Sequence, residues 1–405
     1  MSMPAKRVSI GELTFDSHFS CGNGYDFTEI APGHYRFWTR AGSALYSWRF
    51  FFRILSPGDG REIILEAADF NHAGRTVWNE SAAVRSTDRE HWRDIGQENI
   101  SVTDYTPGDP PLPYGDSGHI PYGVRCTVRL DAPEVWVAVP VPFTPKDRDR
   151  LFTGLAAAHP EYVRQEAPGE TYHSNETGHP VTGMELTDFS IPPERKIRCV
   201  VIAGEHPSES AGMYACRGMM EALADRRELL RTFDFHFVPI VNIDGVCSGR
   251  SYHNTIPGGD DIGYNISMDY EKTEYPETRY IYGLVEKIRP HFFLRLHNGR
   301  HRDRFECFVN GEYKHTRFIE ELGKALTIPL DPPRESNDRE MWVRRHCGTP
   351  VVMTFETLLL RKNPPFMEWK ESYLSVGREL LDGITNGLNA VKTQLNKEAE
   401  HESDL

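Results

Sequence analysis

Hydrophobic and aromatic residues form short runs separated by turn residues over the first third of the chain. The runs are rich in Trp, Phe, Tyr, Val and Ile, which favour strands, whereas Gly, Pro and Asp occupy the spacers. This pattern predicts antiparallel β-structure, and we expect a β-sandwich over residues 1–147. The clearest runs are HYRFWTRA (34–41), ALYSWRFFFRIL (44–55), REIILEAADF (61–70), GVRCTVRLD (123–131) and EVWVAVPVPF (134–143).

The pattern changes after residue 147, where apolar strand-like runs alternate with segments of helical periodicity. One helical segment spans 211–231, another lies near the C-terminus, and the segment after 145 predicts a joining helix. Alternating strands and helices predict a mixed or parallel sheet with helices on both faces, so the expected fold class is α/β over residues 148–397. Residues 398–405 form a polar tail. The strand-like runs are RCVVIAG (198–204), FDFHFVPIV (233–241), HFFLRLH (291–297) and PVVMTFE (350–356).

Composition narrows the class of protein. The 405 residues carry a formal net charge of −13, which disfavours nucleic acid as a partner because phosphate binding needs a basic surface. No apolar run approaches 18 residues, and the first residues lack the apolar stretch of a secretory signal, so we expect no membrane partner. The seven cysteines include no CxxC pair, and their odd number does not fit a disulfide framework. We therefore expect a cytoplasmic protein; the oligomeric state stays open.

Candidate metal ligands stand at or near the exits of three predicted strands. His206 and Glu209 follow VVIAG, His297 ends HFFLRLH, and Glu356 ends PVVMTFE. Open α/β sheets bind ligands beyond the carboxyl ends of their strands, so these side chains should meet at one edge. Two imidazoles and one carboxylate suit a single Zn²⁺ with an open position for water. Glu356 is then free to act as the general base.

The order of several motifs resembles that of zinc metallocarboxypeptidases, and in particular their cytosolic carboxypeptidase branch. The segments are EHPSES where the family has an HPGE-like motif, PIVNIDGV for its NPDG-like turn, DIGYNIS for its DLNRN-like segment, LHNGRHRDRF for its HGHSR-like segment, and MTFETLL for its TLE-like strand. That branch also carries a β-sandwich before a peptidase domain with a mixed sheet between helices. The resemblance implies the same fold for nearly the whole chain.

The resemblance also implies roles for individual residues. His206, Glu209 and His297 match the zinc ligands, and Glu356 matches the general base. Two further residues match by position. Asp261 matches the carboxylate that orients the first imidazole ligand, and Arg250 matches, approximately, the arginine that polarises the scissile carbonyl.

The chain departs from the family pattern where the substrate carboxylate is bound. The family has an Asn-Arg pair in its DLNRN-like segment, but here Gly263 and Tyr264 occupy those positions, with Asn265 next. A bidentate guanidinium is thus missing from the expected place. Tyr264 and Asn265 become candidate substrate-binding residues, and Arg300 is a candidate to replace the missing cation.

We therefore expect a zinc-dependent metallocarboxypeptidase that hydrolyses a C-terminal peptide or amide bond of a peptide or peptide-like substrate. Tyr264 keeps a second hypothesis open, a zinc amidohydrolase or deacylase acting on an acylated amino acid or a peptide-like metabolite. A third alternative is a catalytically silent binding module that keeps the fold. The natural substrate and its side-chain preference stay open at this point.

Overall fold

The fold is taken from a computed structural model of the chain. The structure describes residues 6–39, 49–70, 83–104, 122–254, 264–299, 304–310, 312–313, 316–335, 341–358 and 369–395. Strands and helices are numbered in chain order.

Two sheets account for the strands of the first part of the chain. The first sheet has the order β1-β2-β5-β11-β7-β8 and the second has the order β3-β4-β6-β10-β9. All their pairs are antiparallel except β4 with β6, which run parallel. The strands are β1 (Arg7–Ile10), β2 (Leu13–Asp16), β3 (Tyr25–Ala31), β4 (His34–Trp38), β5 (Phe50–Leu55), β6 (Arg61–Phe70), β7 (Val84–Ser86), β8 (Arg93–Asp94), β9 (Ile100–Asp104), β10 (Tyr122–Leu130) and β11 (Glu134–Val139).

Aromatic side chains pack between these two sheets. Phe15 of β2 stacks on Phe27 of β3 with ring centroids 4.8 Å apart, and Phe37 of β4 meets Phe52 of β5 at 4.9 Å. All four side chains are buried. Because each pair joins one sheet to the other, the predicted aromatic runs form the interior of a two-sheet sandwich.

A third, mixed sheet follows, with the order β12-β13-β15-β14-β16-β19-β17-β18. Its central strands β15, β14, β16 and β19 are parallel neighbours, and they correspond to the four apolar runs of the second part of the sequence. The strands are β12 (Val163–Gln165), β13 (Met184–Leu186), β14 (Ile197–Ala203), β15 (Phe233–Val238), β16 (Phe292–Gly299), β17 (Glu306–Val309), β18 (Arg334–Glu335) and β19 (Val351–Leu358).

Helices accompany this sheet. The predicted joining helix is α1, and its start follows from local chemistry: Thr144 and Asp147 cap each other's backbone N–H groups, and Pro145 occupies the first helical position. Helices α3 and α9 pack against each other closely, since a Cβ on Gly377 would lie 2.0 Å from the carbonyl of Ala215. The helices are α1 (Pro145–Ala158), α2 (Ser174–Thr177), α3 (Ser210–Ala224), α4 (Arg227–Thr232), α5 (Ile243–Cys247), α6 (Pro276–Ile288), α7 (Arg317–Ala325), α8 (Trp342–Cys347) and α9 (Trp369–Ala390).

The sandwich contacts the third sheet's loops through backbone and side-chain hydrogen bonds. The Cys21 amide donates to the Cys247 carbonyl at 2.7 Å, and Asn23 Nδ2 donates to the Gly249 carbonyl at 2.9 Å. The buried side chain of Arg49 reaches the same region. The predicted boundary at residue 147 lies just inside α1. Within the ranges given above, no helix combines the length and apolar character needed to cross a membrane.

Candidate metal centre and active site

The first two candidate ligands lie in a short loop at the carboxyl end of β14. Gly204, directly after the strand, has a φ of +69°, in the left-handed region that glycine adopts without strain. A Cβ at this position would also lie 2.8 Å from Met213 Cε. The glycine thus lets the chain turn from a buried strand into the loop that carries His206. Helix α3 begins after Glu209, which is its N-cap.

The third candidate ligand, His297, lies in β16, the parallel neighbour of β14. The next residue, Asn298, connects this end of β16 to α3 and to β19 through hydrogen bonds. Its Oδ1 accepts hydrogen bonds of 3.2 Å from the Gly212 amide of α3 and from the Thr357 hydroxyl of β19. Parallel strands end at the same edge of a sheet, so His297 is held beside the loop after β14.

The donor atoms of the three candidate ligands converge. His206 Nδ1 lies 3.3 Å from His297 Nδ1. Glu209 Oε1 lies 2.7 Å from His206 Nδ1, and Glu209 Oε2 lies 2.8 Å from His297 Nδ1. All three side chains are buried. The structure therefore brings these three predicted site residues together at one point.

This donor set fits a zinc ion. Two nitrogens bound tetrahedrally at about 2.0–2.1 Å from Zn²⁺ lie roughly 3.3–3.4 Å apart, which is the spacing of the two Nδ1 atoms. Both rings turn the same nitrogen inward, and Glu209 offers both of its oxygens. Imidazole nitrogens with one carboxylate are typical zinc ligands.

The electrostatics of the site favour a bound cation. Burial disfavours the ionised Glu209 carboxyl, but His206 and His297 outweigh burial and hold its pKa below the usual value. Burial likewise lowers the pKa of His297, yet the carboxylates of Glu209 and Glu205 raise that pKa to about 10. Both shifts have one cause, which is the mutual attraction between the buried carboxylates and the imidazole rings that they contact.

Glu205, directly before His206, is buried beneath the site. Its Oε2 accepts hydrogen bonds of 2.8 Å from His297 Nε2 and from Arg295 Nε, and its Oε1 accepts a short hydrogen bond from the Tyr270 hydroxyl. Burial opposes ionisation, but the Arg295 guanidinium, together with His297, holds the pKa of Glu205 well below its usual range. A carboxylate therefore contacts the outward nitrogen of His297.

Glu356 lies beside His297 on the sheet. The two residues are register partners in the parallel pair β16–β19, so their side chains project from the same face of the sheet. The antiparallel strand β17 places Glu306 opposite Glu356 on the other side. Glu356 is partly exposed, whereas His297 and Glu306 are buried. This placement gives Glu356 access to solvent at the strand edge that holds the candidate ligands.

Arg250 and the residues after it pass close to the site. The Arg250 amide donates to the Gly245 carbonyl at 2.9 Å. Two residues later, the Tyr252 ring stacks on His206, with ring centroids 3.8 Å apart. Burial lowers the pKa of Lys6, and the charge of Arg250 lowers it further.

Tyr264 and Asn265 are the candidate substrate-binding residues that the structure describes, and their side chains make different contacts. Tyr264 forms an antiparallel bridge with Asn254, two residues beyond Tyr252, and stacks on Tyr275 at 4.7 Å. The side chain of Asn265 instead caps a single helical turn, because its Oδ1 accepts from the amide and hydroxyl of Ser267. The Tyr264 ring thus packs against Tyr275, whereas Asn265 stabilises the turn that follows it.

Two predicted site residues, Asp261 and Arg300, lie outside the described residues. Asp261 is predicted to orient the imidazole of His206. Among the described side chains, none accepts a hydrogen bond from the buried Nε2 atom of that ring. Arg344, an arginine later in this part of the chain, binds the carboxylate of Glu312 through two hydrogen bonds of 2.7 and 2.8 Å.

Sequence reasoning missed Glu205, Arg295 and Tyr252. The signal for the first two was present: Arg295 is the one charged residue inside the run FFLRLH, and Glu205 follows the run VVIAG directly. A charge inside a buried strand requires a partner of opposite sign, and these two partner each other at 2.8 Å. No local pattern pointed to Tyr252.

A second group of possible metal ligands consists of Glu166, Glu185 and His236. Lys287 Nζ already lies 3.3 Å from Glu166, and His236 Nδ1 lies 2.6 Å from Glu166. Burial lowers the pKa of His236, but Asp234 and Glu166 raise it to about 9, so the ring is protonated at neutral pH. Glu166 therefore already pairs with two basic side chains, His236 and Lys287, and we interpret this group as an ion-pair network.

Part of the chain that contains two of the candidate ligands matches a known protein family. Residues 149–257, which include His206 and Glu209, match the family model of the zinc carboxypeptidases, Peptidase M14. This part of the chain is similar to the zinc carboxypeptidases. Enzymes of this family hydrolyse peptide substrates with one catalytic zinc ion, so the expected activity and cofactor are confirmed at the level of the family. The narrower assignment to the cytosolic branch stays a prediction.

Solved structures show how far the likeness extends beyond the zinc carboxypeptidase domain. A metallo-carboxypeptidase from Burkholderia cenocepacia is similar with a TM-score of 0.71 and 17% identity, over 93% of this chain and 99% of that chain. A metallo-carboxypeptidase from Pseudomonas aeruginosa is similar with a TM-score of 0.68 and 19% identity, over 94% of this chain and 99% of that chain. At such identities the likeness establishes the fold, sandwich included. A comparison with curated protein sequences gives no match.

Proposed function

We propose that the chain is a zinc carboxypeptidase whose ion is held by His206 Nδ1, His297 Nδ1 and the carboxylate of Glu209. The convergence of these atoms, with the two Nδ1 atoms 3.3 Å apart, is the observation that carries the proposal. When bound, zinc lowers the pKa of a water to about 7 and polarises the scissile carbonyl. The protein's own side chains carry out proton transfer, charge stabilisation and substrate binding.

Glu356 is the proposed general base. It takes a proton from the attacking water and passes this proton to the amine that leaves. Its register with His297 and its partial exposure support the role, because the carboxylate must reach both the ligand cluster and the substrate. A buried carboxylate such as Glu306 lacks that access.

Arg250 is the proposed group that stabilises negative charge on the substrate carbonyl oxygen. Its backbone is fixed at both ends, since its amide donates to Gly245 and its carbonyl accepts from Arg49 Nη1 at 3.3 Å. The stacking of Tyr252 on His206 brings this segment to the metal site. Asp261 is the proposed acceptor for His206 Nε2.

Recognition of the substrate's terminal carboxylate is assigned to Tyr264, Asn265 and Arg300. Tyr264 stands where the family has an arginine, so a phenol replaces a bidentate guanidinium at this position. A hydrogen bond to a charged donor contributes roughly 1.5–3 kcal/mol, against about 0.5–1.5 kcal/mol for a neutral one. Discrimination between a free acid and its amide should therefore be weaker than an arginine would give.

The same tyrosine favours one second candidate function, hydrolysis of an acylated amino acid or a peptide-like metabolite that lacks a free terminal carboxylate. Measurement of kcat/KM for matched C-terminal acids and amides separates the two functions. A panel that includes C-terminal arginine is appropriate, because the Pseudomonas protein was solved in complex with (2-guanidinoethylmercapto)succinic acid.

The variant Tyr264→Arg should raise kcat/KM for acids by about tenfold and leave amides nearly unchanged, since one charge-assisted hydrogen bond is added. Tyr264→Phe is the matched control, because it keeps the ring that stacks on Tyr275. Turnover of acids alone supports the carboxypeptidase, and turnover of amides or acylated amino acids alone supports the second function. Equal selectivity in wild type, Tyr264→Arg and Tyr264→Phe would remove Tyr264 from substrate recognition.

A cytoplasmic location is also part of the proposal. All seven cysteines lie among the described residues and none forms a disulfide. Free buried thiols are typical of proteins in a reducing compartment.

A further inference from the structure

Glu205 combines deep burial with contacts to three polar side chains. It is 1% exposed, and its carboxylate accepts from His297 Nε2, Arg295 Nε and the Tyr270 hydroxyl. Removing a carboxylate from water is costly unless its oxygens are hydrogen-bonded and its charge is paired. Here both conditions are met, so the arrangement can hold an ionised carboxylate under the metal site.

The contact to His297 has a chemical consequence for metal binding. A neutral imidazole carries one proton, and the nitrogen that binds a metal must be the other one. His297 Nδ1 faces His206 and Glu209, so the proton has to lie on Nε2. Glu205 Oε2 accepts from that Nε2 at 2.8 Å, which favours the required tautomer and fixes the plane of the ring.

Glu205 is itself held in place from several sides. Arg295 lies two residues before His297 on β16, so both side chains leave the same face of the strand. The Tyr270 ring stacks on Trp342 at 4.7 Å, which fixes the donor on the other oxygen. The Glu205 carbonyl accepts from Asn242 Nδ2 at 3.0 Å. The carboxylate therefore has little freedom to turn away from His297.

We propose that Glu205 is the positioning residue of His297: its carboxylate, held by Arg295 and Tyr270, keeps the proton of the imidazole on Nε2 and aims Nδ1 at the zinc ion. This proposal rests on the assignment of His206, Glu209 and His297 as zinc ligands. The resemblance to the zinc carboxypeptidases implies an acidic partner for His206 only. The proposal adds an acidic partner, Glu205, for His297.

The competing explanation is that Glu205 only neutralises the buried Arg295. The two explanations differ in what the variant Glu205→Gln changes. Glutamine has nearly the same shape and keeps one acceptor oxygen, but it removes the charge that makes His297 a strong ligand. A positioning residue should affect zinc affinity, whereas a purely structural carboxylate should affect only the stability of the fold.

The first experiment measures the zinc dissociation constant of the full-length protein by competition with a chromophoric chelator, together with thermal unfolding. Glu205→Gln should weaken zinc binding about 10–100-fold. Glu166→Gln is the matched control, since Glu166 is also a buried carboxylate paired with a histidine and a basic side chain. The control should lose stability but bind zinc within about twofold of wild type.

Loss of stability in Glu205→Gln with unchanged zinc affinity would overturn the proposal and leave the proposed function intact. Failure of the wild type to bind zinc, or unchanged affinity in His297→Ala, would instead remove the proposed function itself. The two failures are therefore distinguishable.

A second measurement on the wild type covers the case in which Glu205→Gln does not fold. Nitrogen-15 NMR of selectively labelled histidines, with zinc bound, reports which ring nitrogen of each ligand carries a proton. The proposal predicts that His297 is protonated at Nε2, with a hydrogen bond to a carboxylate. A proton on Nδ1 of His297, or Nε2 bound to the metal, would contradict it.

Discussion

Glu356 is the residue whose change should separate catalysis from metal binding. Glu356→Gln keeps the size of the side chain and removes its ability to accept a proton, so turnover should fall by about 10²–10⁴. Zinc content, measured by atomic emission on the purified protein, should stay at the wild-type level because Glu356 is not among the converging donors. Glu306→Gln, a buried carboxylate on the neighbouring strand, is the control and should retain far more activity. Near-normal turnover of Glu356→Gln would assign the general base to another residue.

At the scale of the element, strand β15 and its neighbours hold the ion-pair network of Glu166, Asp234 and His236. His236 is buried, and its pKa is raised from 6.5 to about 9 in the folded chain. A raised pKa stabilises the fold fully below the unfolded value, and this stabilisation is lost as pH rises from about 6.5 through 9. The expected loss is roughly 3 kcal/mol.

Urea unfolding at a series of pH values tests this prediction through the difference between wild type and His236→Gln. The variant removes the titrating group and should lack that part of the pH dependence. The two curves should converge as the pH passes 9, because the wild type has then lost the contribution. An equal pH dependence in both proteins would show that His236 does not carry this stabilisation.

Several elements could be predicted from local pattern because their burial is local in sequence. The run VVIAG, buried on both faces, became β14, and the capping pair of Thr144 and Asp147 marks the start of α1. The candidate ligands could be located because polar residues interrupt apolar runs where strands end. The positions of these strands and candidate ligands can therefore be predicted from the order of residues along the chain.

The remaining features depend on pairing between distant segments, which no local pattern contains. The parallel pair β4–β6 within an otherwise antiparallel sandwich is one example. The contact between Glu205 and Arg295 is another, since it joins residues 90 positions apart. Tyr252 was missed for the same reason, because its ring meets His206 only after the chain has returned to the site.

At the scale of the whole molecule, Arg49 links the sandwich to the metal site. Its guanidinium is buried, donates to the Pro207 carbonyl at 3.1 Å and to the Arg250 carbonyl at 3.3 Å, and so holds the loop between His206 and Glu209. Arg49→Met should destabilise the fold by about 2–4 kcal/mol, because charged hydrogen bonds to buried carbonyls are lost. It should also speed zinc release, since Pro207 lies between two ligands.

Arg53→Met is the control for this prediction. Arg53 lies in β5, pairs with Asp16 inside the sandwich at 2.9 Å, and stacks on Trp136, so its loss should lower stability with zinc release unchanged. Zinc release is measured by stopped-flow mixing with excess chelator. Equal release rates in both variants would mean that the sandwich does not support the metal loop.

The proposed function depends on one zinc ion bound by His206, Glu209 and His297. Anomalous scattering from zinc-supplemented crystals, recorded on both sides of the zinc absorption edge, tests it most directly. We expect one strong peak at about 2.0–2.1 Å from His206 Nδ1 and His297 Nδ1, in contact with the Glu209 carboxylate. A peak at another group, such as Glu166 and His236, or no peak between these three residues, would contradict it.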